Sequence, residues 1–195
     1  MITENISISI EETDILKNII DRKMIKIISA DSTNFLNDFI WILYLDFGND
    51  FIKIEIEDII AKLFNTIEDG GRHKISKCEI IDEGYSKKIN RVVNDIFIVS
   101  NIFEFESYKI TYPRVIIFNF DDCNLVIEKR WIFSLAGFIV RLEPLDTENF
   151  GLYNETQFWY DSDSIESEGK MPIVTQIVHS LKQDKDISIK NGLDL

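Results

Sequence analysis

The sequence predicts an α+β protein dominated by antiparallel sheet, with about three helices at its periphery. Three observations point there. From Arg114 to Trp131, an apolar run (Val115 to Phe120) and a shorter one (Leu125 to Ile127) flank Asp121-Asp122-Cys123-Asn124. β-Branched and aromatic residues on both sides of an Asp/Asn turn are the pattern of a β-hairpin. The same pattern stands earlier, from Ile42 to Glu55, around Gly48-Asn49-Asp50. Finally, three stretches carry apolar residues at helical spacing: Glu11 to Ile20, Asp58 to Ile67, and Pro172 to about Gln183.

The two hairpins overlay residue by residue. Leu45-Asp46-Phe47 falls on Phe118-Asn119-Phe120, the turns coincide, and Ile52 to Glu55 falls on Leu125 to Glu128. A strand candidate precedes each, Met24 to Ser29 and Ile96 to Ser100. This arrangement suggests a duplicated β-meander within a single compact domain, residues 1–84 and 85–195, with its seam near Gly84. Turn chemistry alone would give both hairpins a polar centre, so two unrelated hairpins account for the overlay as well. A barrel-like all-β core with peripheral helices is the alternative architecture.

In chain order, Ile6, Ile8 and Ile10 alternate with serines and predict a short strand. A helix over Glu11 to Ile20 follows, capped by Thr13 or Asp14. Asp31 to Asp38 is polar and predicts a loop. Asp58 caps the second helix, with Ile59, Ile60, Leu63, Phe64 and Ile67 on one face and Gly70-Gly71 beyond its end. His73 to Ile81 predicts a strand, Ser86 to Asn94 fits helix or strand, and Ile96 to Val140 is almost wholly strand with a corner near Gly137. Pro172 opens the third helix, and Ile187 to Ile189 predicts a closing edge strand. The expected core contains Phe47, Ile52, Ile54, Ile98, Ile117, Phe120, Val126 and Trp131.

Composition narrows the function. A net charge of −13 repels nucleic acid and anionic membrane surfaces and favours a basic partner. Cys78 and Cys123 are too sparse for a disulfide framework. Met1-Ile2-Thr3-Glu4-Asn5 has no basic region leading into an apolar one, so no signal peptide is expected. The ten residues Trp131 to Val140 form the longest uncharged apolar stretch, too short to span a bilayer. A reduced, cytoplasmic setting follows.

Catalytic motifs are absent from the sequence. The two histidines, His73 and His179, have no nucleophile at motif spacing, and Gly70-Gly71 stands before a strand, where a phosphate cradle would precede a helix. Asp161, Asp163, Glu166 and Glu168 concentrate oxygen donors, but an EF-hand loop begun at Asp161 would place Glu166 where glycine is required and Pro172 where the bidentate acid belongs. Asp121-Asp122 is the densest carboxylate pair, in a turn that favours Asp for backbone reasons. No cofactor or metal is expected.

One stretch stands apart. Glu143 to Gly169 holds eight acids and neither Lys nor Arg, interleaved with Phe150, Tyr153, Phe158, Trp159 and Tyr160. Aromatics anchor protein interfaces, and carboxylates around them steer a basic partner. The expected partner-binding residues are Glu155, Phe158, Trp159, Tyr160, Asp161, Asp163, Glu166 and Glu168; a half-buried strand with a solvated acidic rim would show the same pattern. The sequence therefore favours an acidic protein that binds a basic partner, for example an inhibitor or immunity protein against a nuclease toxin, over an enzyme. The alternative is an enzyme or small-ligand binder whose site is assembled from scattered His and carboxylate residues.

Overall fold

The computed structural model describes residues 2–30, 38–63, 66–79, 84–106, 108–129, 137–144 and 173–191. In chain order these form β1 (Ile2–Asn5), α1 (Ile10–Lys17), β2 (Lys23–Ser29), β3 (Ile42–Asp46), β4 (Phe51–Leu63), β5 (Thr66–Cys78), β6 (Tyr85–Val92), β7 (Asp95–Phe105), β8 (Tyr108–Asn119), β9 (Asn124–Lys129), β10 (Phe138–Glu143), β11 (Ile173–Ser180) and β12 (Lys185–Asn191). The first sheet runs β5-β4-β3-β2-β6 and the second β10-β9-β8-β7-β11-β12, with β1 parallel to the start of β8. The chain changes sheet between Val92 and Asp95.

Both predicted hairpins form, and their turns close alike. Phe47 N–H donates to the Asp50 carbonyl at 3.0 Å, and Phe120 N–H to the Cys123 carbonyl at 2.9 Å. The flanking pairs Asp46–Phe51 and Asn119–Asn124 occupy equivalent places in the two ladders. The equivalence extends outward. In each sheet four successive strands form an antiparallel meander, and the fifth returns to pair with the first: β6 on β2, β11 on β7.

The expected set of three helices is not what the chain forms: among the described residues α1 is the one helix, and the fold is nearly all-β. Even α1 begins earlier than expected. Ser9 is its N-cap, accepting from Glu12 N–H at 3.2 Å, and the Glu12 carboxylate accepts in return from Ser9 N–H at 2.7 Å. This is a reciprocal capping box, Ser-x-x-Glu. The predicted helix over Asp58 to Ile67 is instead the outer part of the β4–β5 hairpin. Isoleucine is stiff at χ1 and suits a pleated ladder. Gly70 and Gly71 lie inside β5 opposite Ile59 and Asp58, where they do not end a helix. The predicted helix after Pro172 is β11, whose Ile173, Val174, Thr175, Ile177 and Val178 are β-branched. The 3–4 spacing of its apolar residues arises because both faces of this strand carry them. Ser86 to Asn94, open between helix and strand, resolves as β6.

One hydrophobic cluster draws on both sheets. Met24, Ile27, Leu43, Leu45, Ile52, Ile54 and Ile75 from the first meet Ile96, Ile116, Phe118, Leu125, Ile127, Phe138 and Val140 from the second, with Leu16 and Ile19 from α1 and the residues after it. A smaller cluster, Val99, Val115, Ile117 and Val126, occupies the opposite face of β7–β9. Burial on both faces explains the unbroken apolar runs of β8 and β9. Of the expected core, Phe47, Ile52, Ile54, Ile117, Phe120 and Val126 are buried, Ile98 is half-buried against the main cluster, and Trp131 lies outside the described residues. Gly137 stands where two backbones approach closely. Ile40 and Phe138 exchange backbone hydrogen bonds at 2.8 and 2.9 Å, and a Cβ on Gly137 would stand 2.4 Å from the Ile40 carbonyl oxygen.

Candidate functional site

Three polar constructions stand out from the apolar framework. The first is a groove of about 340 Å³ on the second sheet. Its floor is a row of half-buried residues on β7, Ile98, Ser100 and Ile102, which alternate with buried Val99, Asn101 and Phe103. On β11, Ile177 pairs with Ser100 and His179 with Ile98, widening the floor by one strand. Thr111 and Pro113 extend it on β8, and residues 5–8 with Thr13 form a wall.

His179 is held from β12. A bulge at Val178/His179 places Asp186 directly opposite His179, so that His179 Nδ1 and Asp186 Oδ1 are 2.8 Å apart. Bulges re-aim side chains in this way. The turn between the strands passes through Asp184, in the left-handed region at φ 53°, and Asp184 is tied to Lys17 on α1 at 2.7 Å. This ion pair lowers the Asp184 carboxyl below its ordinary value.

The second construction is buried where the sheets meet. The Glu12 carboxylate accepts from Ile75 N–H at 3.0 Å and from Arg72 at 2.8 Å, and Arg72 also reaches Glu57 at 2.6 Å. Burial pushes the Glu12 carboxyl up, but Arg72, the Ser9 and Ile75 N–H groups and the Ser9 hydroxyl together bring it below its ordinary value. One residue along β5, His73 is fully buried and neither ring nitrogen has a hydrogen-bond partner. Its ring stands 6.0 Å from that of Phe138. Burial, with Lys129 and Arg72 nearby, lowers its pKa to about 3, against the opposing pull of Glu12. Lys129 on β9 is 3% exposed, and burial lowers its ammonium to about 8. Room for it comes from Gly71, where a Cβ would sit 3.3 Å from Lys129 Cε and 2.7 Å from Ile56 Cγ2. The gap beside Arg72 and Lys129 admits no water-sized ligand, so His73 and Lys129 are interior structure.

The third lies at the root of the acidic stretch. Buried Arg114 donates to Glu128 at 3.1 Å, Arg141 donates to the other oxygen of Glu128 at 2.5 Å, and Arg141 also binds Glu143, the last residue of β10. The chain leaves the sheet at this guanidinium–carboxylate seam.

Every residue expected to bind a partner, Glu155, Phe158, Trp159, Tyr160, Asp161, Asp163, Glu166 and Glu168, lies outside the described residues. The Asp121-Asp122 pair is a clamp. Asp122 takes a bidentate bond from Arg91 at 2.7 and 2.9 Å, which lowers its carboxyl to about 2, and Asp121 accepts from Asn94 at 2.7 Å. Burial raises both thiols, Cys78 and Cys123, so neither is an activated nucleophile. Cys78 and His179 come from different sheets. Among the described residues no three His, Cys, Asp or Glu side chains converge as a metal site, and no helix is long and apolar enough to cross a membrane. The His179–Asp186 pair was not anticipated, because a helix over 172–183 would have left the two residues in unrelated elements. No protein-family model, no curated protein and no solved structure matches the chain.

Proposed function

We propose that this chain is an acidic binding protein that captures a basic protein partner through the segment between β10 and β11. The observation that carries the reading is a difference between the two sheets. In the first, the fourth strand connects to the fifth through residues 79–84. In the second, the equivalent connection is residues 144–172.

Connectivity does not require that length. β10 ends level with Asp95 and β11 begins level with Glu104, a separation of about 30 Å along the strands and about 19 Å across them. About eleven extended residues would bridge the resulting ~35 Å. The excess carries charge: residues 144–172 contain seven acids against Lys170 alone, nearly half of the net charge of −13. Long connections in compact domains are usually functional, and anionic, aromatic-bearing ones suit a cationic protein. An inhibitor or immunity protein that neutralises a basic toxin such as a nuclease, acting in the cytoplasm, is the concrete form of this proposal.

The test is affinity capture from the native host with the wild-type chain and with D161N/D163N/E166Q. Wild type should retain a basic protein at low salt and release it at high salt. The variant should associate about tenfold more slowly, the lower end of the range for electrostatic steering, with an unchanged melting temperature. Equal retention by both chains, or retention indifferent to salt, refutes the reading.

A further inference from the structure

We propose that the groove over β7 and β11 is a binding site for a small organic cation with an apolar body, anchored by the His179–Asp186 pair. This is independent of the partner segment, since no groove residue falls within 144–172.

Three properties of the groove select the ligand class. Its volume of about 340 Å³ lies at the lower end of small-molecule sites, so the ligand is small. The surfaces a ligand would lie against are mixed: Ile98, Ile102 and Ile177 offer aliphatic contact, while Ser100, Thr111 and Thr13 offer hydroxyl oxygens that can accept N–H bonds. The lining contains one carboxylate, Asp186, and neither Lys nor Arg. A carboxylate or phosphate ligand would therefore meet no Lys or Arg and would face the like charge of Asp186, whereas an ammonium would be paired by it. The nearest cation on α1, Lys17, is already paired with Asp184.

The geometry of the anchor is set by the backbone. Asp186 faces His179 across the β11–β12 ladder because of the bulge, and the 2.8 Å contact holds its carboxylate beside the imidazole. When the imidazole is neutral and its Nδ1–H donates to Asp186, the pair carries one net negative charge and Nε2 presents a lone pair. With the proton on Nδ1, Nε2 can accept from a ligand N–H, and the Asp184 carboxylate 3.9 Å from Nε2 adds negative charge beside it. An ammonium is thus offered the Asp186 carboxylate, the Nε2 lone pair and hydroxyl oxygens from floor and wall, with the isoleucines against its body.

Amide-resolved NMR titration of the full chain tests this with three probes of matched shape: 2-phenylethylamine, 2-phenylethanol and 3-phenylpropionate. The amine should shift Ile98, Ser100, Ile102 and Ile177 and saturate in the millimolar range or below. The carboxylate should bind at least about tenfold more weakly, a difference of about 1.4 kcal/mol. Asp186→Asn should remove most of the preference for the amine over the alcohol while leaving the dispersion of the spectrum intact. Ile177→Trp, which fills the groove, should abolish the shifts of all three probes. The proposal is overturned if none of the probes perturbs these residues at about 10 mM, if the carboxylate binds as well as the amine, or if Asp186→Asn leaves the order of affinities unchanged. Loss of amine binding here with partner capture intact would leave the acidic-segment reading standing, and the converse holds equally.

Discussion

Replacing Glu12 with alanine should cost about 3 kcal/mol, and the sum can be traced bond by bond. Glu12 is 5% exposed and its two oxygens serve three partners. One accepts from Ile75 N–H, and its loss strands a donor in the interior at about 1–3 kcal/mol. The other closes the capping box on Ser9, worth about 0.5–1 kcal/mol in a short helix. It also holds Arg72, which keeps Glu57 as partner, so that loss is the smallest of the three. For a chain of this length the total corresponds to a fall in Tm of roughly 6–12 °C. Urea unfolding followed by tryptophan fluorescence measures it. Glu12→Gln keeps an oxygen for Ile75 and should cost about 1 kcal/mol, since the charge toward Arg72 is what it lacks. The effect is also pH-dependent with a definite sign. The Glu12 carboxyl is lower folded than unfolded, so its charge-dependent contribution is complete above about 4.5 and is lost as pH falls through the folded value. The gap between wild type and Glu12→Ala should narrow in that window toward the gap that separates Glu12→Gln from Glu12→Ala, because the protonated carboxyl still accepts from Ile75 N–H. A Glu12→Ala protein within 0.5 kcal/mol of wild type, or a glutamine variant as damaged as the alanine one, would refute this account of how α1 is locked to β5.

Two further predictions concern the interior basic side chains. His73→Leu should be neutral or stabilising at pH 7, because it deletes two buried ring nitrogens that have no partner. Wild-type stability should fall as pH drops from 6.5 toward 3, by up to about 1.4 kcal/mol per pH unit, since the unfolded histidine takes a proton that the folded one refuses; acid titration of the urea midpoint should show this slope reduced in the leucine variant, and an unchanged slope counts against it. Wild-type stability should rise as pH goes from about 8 toward 10.5, because burial lowers the folded Lys129 ammonium to about 8 while the unfolded one keeps its proton longer. Lys129→Met should lack that rise, and a methionine variant with the wild-type slope would refute the assignment.

What could be read from the sequence followed from local physics. The two hairpins were legible because period-2 alternation and an Asp/Asn/Gly turn fix both pairing and register, and Asp46–Phe47 and Asn119–Phe120 do occupy equivalent positions. Ile187 to Ile189 was legible as an edge strand for the same reason. Helices over 58–67 and 172–183 were wrongly expected because apolar spacing of three and four residues also arises in a strand carrying apolar residues on both faces. The exposed Ile60 and Ile67 of the β4–β5 hairpin show such a case, at 76% and 75% exposure. β-Branching was the better guide in both places. The Ser9-x-x-Glu12 box was visible in the sequence as a capping signature and would have placed the start of α1. Nothing local could have revealed that Lys129 lies near His73, or that a bulge sets Asp186 against His179, since both depend on long-range pairing.

The parallel between the sheets makes the site argument sharper than either sheet would alone. Where two five-stranded units share turn register, strand order and the return of the fifth strand to the first, the features they share belong to the scaffold. The features that differ need another cause. Two differences dominate: residues 144–172 replace a six-residue connection, and β12 is added outside β11. The first concentrates negative charge, and the second supplies Asp186 to the groove. Both proposed binding regions therefore depend on what the second sheet has and the first lacks. β6, the counterpart of β11, is followed at once by the passage into β7 and has no added strand beside it among the described residues. A carboxylate opposite the His179 position is possible in the second sheet because β12 turns back along β11.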